Sequence, residues 1–408
     1  FCHSSKEECH AQISQTNENL RNVDNYNDDV NTKNVALTGI VESCIWNDVN
    51  SFHVVYNYSV DLMHDLLEGV CNYDMSSIIR NFILEFKYFS LEVLNNRIRF
   101  FDYGPSEIKN RPPLISEHSL KSNSPTICKM SASEMWCFVR FFGLMMGDLV
   151  PIESDFWKLY ILLKKILDLT TTRSIGLECP YLLKMLISEH HALYLELTKI
   201  NLKPKFHHLI HYPYIMEQVG PLINIWSMRF EAKHKESKIA ARAISSRKNI
   251  CYTLMLKNQL KMAYTYTQIY KYSKFSCSLN VSKNIMYSSD IKKNLASVLN
   301  YACIEHSNFV SWIEVKNIRY TTNNMYLVLD ISDLPVFGFL KYISILPDLT
   351  ALGIFEVLKT INFNEHLQSY YVEKTQIISS SNFTDLPNYS PTFCCIKQNG
   401  LSYIPLIL

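Results

Sequence analysis

The hydrophobic period of this chain changes once, near Ser273, and that change narrows what it can fold into. Before it, apolar residues recur every three or four positions: Leu62, Leu66, Leu67 and Val70, then Ile78, Ile79, Phe82, Ile83 and Phe86. Such spacing lines one helical face, and two consecutive helices are read between Ser59 and Phe89. After the change come short alternating runs: Phe309–Val315, Asn317–Tyr320, Met325–Asp330, Val336–Ile343 and Tyr370–Val372. Strands at that spacing, split by Asn and Pro turns, suggest a small β-barrel or β-sandwich. The expected fold class is α+β, a mainly helical region followed by a small β-rich C-terminal domain. At 408 residues two or three domains are the sensible division. The boundaries are read as 1–40, 41–272 and 273–408.

Within the helical region, Ser131 with Glu134 three residues on is a capping-box signature ahead of an apolar run. Helices are expected over about 133–146, 154–170, 178–199, 205–219, 228–246 and 250–268 from the same periodicity. Pro105, Pro112, Pro113 and Pro125 mark a polar loop. Residues 14–36, rich in Asn, Asp, Ser and Thr, read as a solvated linker.

Hydrophobic content of 48% with 19% charged residues describes a globular protein. Only 10 glycines occur, with no Gly-x-Gly-x-x-Gly and no Walker-type loop, which argues against a nucleotide-driven motor or a dinucleotide dehydrogenase. The 12 cysteines are scattered, as in reduced intracellular proteins rather than disulfide frameworks. No apolar run reaches membrane-spanning length, and Phe156–Asp168, with its three lysines, reads as an amphipathic helix. Net charge is +2, so any attraction to DNA must come from local clustering of Lys and Arg.

Such clustering exists between Lys203 and Asn249. On a helix starting near Met228, Glu231, His234 or Lys235, Lys238 and Arg242 recur at three- and four-residue steps and share one face. Arg229 and Lys233 add to the basic count. A carboxylate among Lys and Arg suits a phosphodiester site, the acid holding metal while the bases neutralise phosphates. The plain alternative is a solvated helix with Glu231 paired to Lys235. His207, His208 and His211 form His-His-x-x-His without the Glu that a zinc peptidase needs. They either pack near a site, touch DNA backbone, or hold a metal through His207 and His211. Upstream, Asp61-Leu-Met-His64 places an acid and a histidine one turn apart, with Glu68 on the same face. That pair either converges on a metal or strand end, or His64 simply orients Asp61. Cys2, His3, Cys9 and His10 crowd the first twelve residues; a zinc site or ordinary packing both fit them.

The Asp61-x-x-His64 motif together with Lys-Pro-Lys-Phe-His-His-Leu-Ile-His-Tyr-Pro and Trp-Ser-Met-Arg-Phe-Glu-Ala-Lys-His-Lys resembles the transposases of CACTA-type (En/Spm-like) DNA transposons, in the version found in animal genomes. The resemblance runs from Cys2 to about Leu260. It implies that this chain carries the insertion and closing helix of an RNase H-like (DDE) catalytic domain. In that domain two divalent ions about 4 Å apart hold the attacking and leaving oxygens, and the ions implied are Mg²⁺. Glu231 would be the third catalytic acid and a Mg²⁺ ligand. Asp61 and His64 would form the accessory Asp/Cys-x-x-His signature. Arg229, Lys233, Lys235, Lys238 and Arg242 would touch DNA. The implied partner is double-stranded DNA at transposon ends, in the nucleus, held by a homo-oligomer, with no membrane.

In the same resemblance Cys2 looks like the second cysteine of a Cys-x-x-Cys pair, a weak zinc ligand, and the first two catalytic aspartates lie ahead of it. The chain opens at Phe1 without an initiator Met and is expected to be a fragment that is catalytically incomplete. The alternative is a non-catalytic DNA- or chromatin-binding protein, or a protein-interaction scaffold, descended from such a transposase.

Overall fold

The computed structural model describes residues 6–16, 20–246, 248–268, 275–278, 308–316, 318–387, 389–396 and 400–405. Cys2, His3 and most of the Ser/Asn-rich stretch after Ser273 lie outside these. The chain is α+β, helical up to Gln268 and β-rich beyond Asn308. It divides into two compact units, Phe1–Phe100 with Pro112–Met228, and Phe101–Arg111 with Arg229–Leu408.

In the first unit, Ala132–Met146, Asp155–Thr171 and Cys179–Thr198 form the helices that periodicity gave them, and Ser131 with Glu134 makes the expected capping box. Several expectations change. The helix read over about 205–219 is two, Pro204–Leu209 and Tyr212–Val219. The segment Met63–Glu85 is one continuous helix, wound as π over Met63–Val70, α over Cys71–Arg80 and π again over Asn81–Glu85. The Phe86 amide reaches back five residues to the Asn81 carbonyl at 2.8 Å, the wide-turn bond that defines this winding. Residues 14–36 are no simple linker, because Val23–Thr32 is helical. Asn22 and Asn25 cap each other's backbone amides there, and buried Tyr26 receives the Cys44 amide on its hydroxyl at 2.8 Å. One aromatic anchor and a cap offset the poor helix propensity of Asn and Asp.

The core of this unit forms where Met63–Glu85 meets Ala132–Met146 and Asp155–Thr171. Leu66, Ile78, Phe82, Phe138, Phe142, Trp157 and Tyr160 are all fully buried, and Phe82 packs on Trp157 and Phe138 on Phe142. Trp157 stacks obliquely on Tyr160 at 4.8 Å between centroids and lies 5.8 Å from Phe142. Each such side chain stabilises the fold by roughly 1.5–3 kcal/mol through burial. The Tyr160 hydroxyl donates to Val139 O and accepts from Gly143 N, so this buried oxygen is satisfied.

The second unit is antiparallel. Its strands are β1 (Ser276–Cys277), β2 (Asn308–Val310), β3 (Trp312–Val315), β4 (Ile318–Thr321), β5 (Tyr326–Ile331), β6 (Pro335–Ile345), β7 (Ala351–Asn364), β8 (Ser369–Asn382), β9 (Cys395–Ile396) and β10 (Ser402–Ile404). One sheet runs β1-β3-β4; the other runs β2-β6-β7-β8-β10-β9, with β5 beside β2 along the same edge of β6. Ile313 and Tyr320 of the small sheet share a core with Leu340, Ile343 and Phe355 of the large one. Gly104 turns the chain at φ 64°, where a side chain would strike Phe393.

Candidate functional site

Helix Met63–Glu85 organises the polar chemistry of the first unit. Asp61 stands just ahead of it, and the side chains of Asp65 and Asp74 project from its length. Each of the three meets a histidine, and two of those histidines come from more than 100 residues away.

The Asp61 carboxylate accepts from the Met63 amide at 3.1 Å and, through the same oxygen, from the Ser227 amide at 3.1 Å. Its other oxygen is bonded to His64 Nδ1. Burial pushes this carboxyl upward, but the bonds from His64, Ser227 and Met63 outweigh it and hold Asp61 below its ordinary value. Ser227 Oγ lies 3.4 Å from His64 Nδ1. Asp61 and Ser227 therefore approach the same ring nitrogen, whereas a hydrolase triad needs them on opposite nitrogens. Of the two sequence alternatives for Asp61 and His64, the geometry matches the one in which the histidine orients the acid. The acid in turn caps the start of helix Ser227–Ala243. Trp226, just ahead of Ser227, packs edge-to-face on Trp136 at 5.4 Å, and Arg140 lies over the Trp136 ring at 4.2 Å.

Asp65 takes His208 Nδ1 at 2.8 Å, with the Tyr212 hydroxyl 3.5 Å from its second oxygen. Between these pairs Lys205 crosses the π-wound turn and donates to the His64 carbonyl at 2.8 Å. It can lie there because residue 69 is glycine: a Cβ at that position would collide with the Lys205 stem and sit 3.0 Å from His64 O. Glu68, expected on the acidic face, is exposed.

Asp74 and His190 are both fully buried, 2.6 Å apart. His190 Nδ1 meets His191 Nδ1 at 3.1 Å, and His191 Nε2 reaches the Phe206 carbonyl at 2.8 Å. A carbonyl only accepts, so His191 donates from Nε2. Burial, then neighbouring His190, depresses His191 to about 3, so the ring is neutral and its Nδ1 accepts from His190. One proton is then left for Asp74 and His190 to share. Burial raises the Asp74 carboxyl despite His190, and its Oδ1 has no partner.

The His-His-x-x-His residues part company. His208 goes to Asp65, whereas His207 and His211 are buried and face each other, Nε2 to Nε2, at 3.4 Å. Burial excludes DNA-backbone contact for those two. His207 Nε2 also lies 3.7 Å from Cys9 Sγ, and His211 Nδ1 meets Gln15 Oε1 at 2.7 Å. Burial, with charge from neighbouring histidines, lowers His207 to about 4 and His211 to about 3. Burial, then Glu8, raises the Cys9 thiol. These long-range partners gave no signal in the sequence beyond residue type.

In the second unit, Glu231, Lys235, Lys238 and Arg242 do fall on one face of helix Ser227–Ala243 and are exposed. Arg229 and Lys233 fall on the opposite face. There Lys233 meets Glu236 at 3.3 Å, and Glu236 also takes Lys261 from helix Ile250–Gln268. Ile239, Ala240 and Ala243 give this helix no packed apolar side: no described residue of it is buried, and Ile239 is 58% exposed. No helix among the described residues is long and apolar enough to cross a membrane. Comparison with protein-family models, with curated proteins and with solved structures gave no match.

Proposed function

We propose that this chain is a DNA-binding protein of transposase descent, which holds the phosphate backbone along the Lys235, Lys238 and Arg242 face of helix Ser227–Ala243. One observation carries the reading. The two motifs that resemble CACTA-type transposases, Asp61-x-x-His64 and Trp226-Ser227-Met228, meet in space through the 3.1 Å bond from Ser227 N to Asp61, 166 positions away. A functional reason for that contact is to fix the first turn of a helix whose exposed face is basic. The same reading carries an RNase H-like ancestry for the helical region, a nuclear location and a homo-oligomer that pairs two DNA ends.

Two-metal cleavage is not assigned to this chain. The Asp61 oxygens are committed to Met63, Ser227 and His64. Among the described residues no group of three carboxylate, His or Cys side chains is placed to hold a metal ion. The residues present do not fit a Mg²⁺ pair, which needs converging oxygen ligands. Glu231 is read as a positioning acid beside the phosphates.

The test is equilibrium binding of the full chain to a labelled DNA duplex at stepped salt. Binding should weaken linearly in log–log form, and the triple variant Lys235→Ala, Lys238→Ala, Arg242→Ala should flatten the slope by about 2–3. A salt-insensitive or absent interaction would leave the protein-interaction scaffold as the better reading.

A further inference from the structure

We propose that Trp136, Arg140 and Trp226 form a binding site for a phosphate group in the first unit, built from residues other than the Lys235, Lys238 and Arg242 face. Unmade hydrogen bonds carry it. The Trp136 and Trp226 indole nitrogens are both buried, and neither has a hydrogen-bond partner. Trp226 is 4% exposed and Arg140 5%, while Trp136 is half-buried. The two indoles meet edge-to-face, 5.4 Å between centroids and 89° between planes, and the Arg140 guanidinium lies 4.2 Å from the Trp136 centroid. In an edge-to-face pair only one ring turns its edge to the other's face, so an N–H···π contact engages at most one of the two donors. At least one indole N–H therefore stays unmatched, and an unmatched buried donor marks a missing partner.

The chemistry of the three side chains sets what that partner is. Indole and guanidinium groups donate and do not accept, so the partner is an acceptor rather than a metal ion. Arg140 brings a permanent positive charge, which favours an anion over a neutral acceptor. The acid that caps the next residue does not serve: Asp61 has its oxygens bonded to Met63, Ser227 and His64. Donors on three separate side chains suit a group with several acceptor oxygens, and a guanidinium matches phosphate in a two-pronged pairing. The half-buried Trp136 gives the anion its approach from solvent. Trp226 directly precedes Ser227, so an occupied site braces the start of helix Ser227–Ala243 through its neighbour.

The test is indole ¹⁵N–¹H NMR of the full chain, in which each of the 5 tryptophans gives one N–H signal, titrated with inorganic phosphate at constant ionic strength. The Trp136 and Trp226 signals, assigned by Trp136→Phe and Trp226→Phe, should move downfield and saturate while the others stay. Trp226→Phe keeps an aromatic ring and loses the donor, and should weaken phosphate binding about tenfold. Arg140→Met removes the charge and should abolish it. A DNA duplex carrying 5′-phosphates, set against its 5′-hydroxyl counterpart, identifies the source of the phosphate. Movement with the phosphorylated duplex alone assigns a DNA end, with both duplexes the DNA backbone, and with inorganic phosphate only a free ion. Signals that phosphate and both duplexes leave in place, or that chloride moves equally, would overturn the proposal, as would parent affinity in Trp226→Phe. The phosphate titration uses no DNA, so its failure is separable from failure of the Lys235, Lys238 and Arg242 reading.

Discussion

The Asp74 carboxylate and the His190 imidazole sit 2.6 Å apart with neither exposed to solvent, and they come from helices 116 residues apart. Because His191 is pinned as a donor to Phe206 O, the pair shares one proton, and burial favours keeping it on Asp74. Asp74→Asn offers an N–H in the same place, so it should cost less than about 1.5 kcal/mol in urea unfolding. Asp74→Ala strips the partner from a buried ring and should cost about 3–5 kcal/mol. Equal losses in the two variants would mean the pair is ionic.

Gly69 is a packing requirement for Lys205. Gly69→Ala should destabilise the chain by about 1–3 kcal/mol, because the new methyl overlaps the Lys205 stem. Shortening the lysine as well, in Gly69→Ala with Lys205→Ala, should recover part of that loss. A double-mutant cycle on unfolding free energies would show a coupling of at least about 0.5 kcal/mol; strict additivity would refute the contact.

Acid should unfold the first unit steeply. His191 and His211 are held neutral in the fold, at about 3 each, while an unfolded histidine titrates near about 6.5. Between those values the unfolded state binds more protons. Stability is therefore complete above about pH 6.5 and falls as pH drops toward 3, by up to roughly 1.4 kcal/mol per pH unit for each ring. His207, at about 4, acts in the same direction. Raised Asp74 opposes them, since it takes up its proton in the fold first. Stability measured against pH should lose about one proton of slope in His191→Gln.

The parts of this structure legible in the sequence are those whose partners lie within a turn or two. Ser131 and Glu134 cap as read, and Asp61 and His64 bond one turn apart. The π winding was hidden because a wide turn leaves the apolar residues in place and changes only their phase. The long β7–β8 hairpin was mostly missed. Its register slips between Glu356 and Leu358 and again between Thr360 and Asn362, and much of it is only half-buried, so alternation is interrupted where a sequence reading needs it. Pairings such as His190 with Asp74 and His207 with Cys9 depend on the tertiary fold alone. Lys233 was grouped with the DNA-facing bases because charge density carries no face; only helix phase puts it opposite Lys235.

Asp61 should matter to helix Ser227–Ala243 as a cap contributed from elsewhere in the chain. Asp61→Ala removes the acceptor of the Ser227 amide and the partner of His64, and should cost about 0.5–2 kcal/mol, the range for a lost N-cap. Asp61→Asn keeps an oxygen acceptor and should cost less. Backbone hydrogen exchange at Ser227 and Met228 should rise in Asp61→Ala and stay near the parent value in Asp61→Asn. In the same variants DNA affinity should follow the exchange rates, because a frayed first turn misplaces the Lys235, Lys238 and Arg242 face. If affinity fell in Asp61→Asn with exchange unchanged, Asp61 would act on DNA or a metal directly and its role as a cap would be wrong.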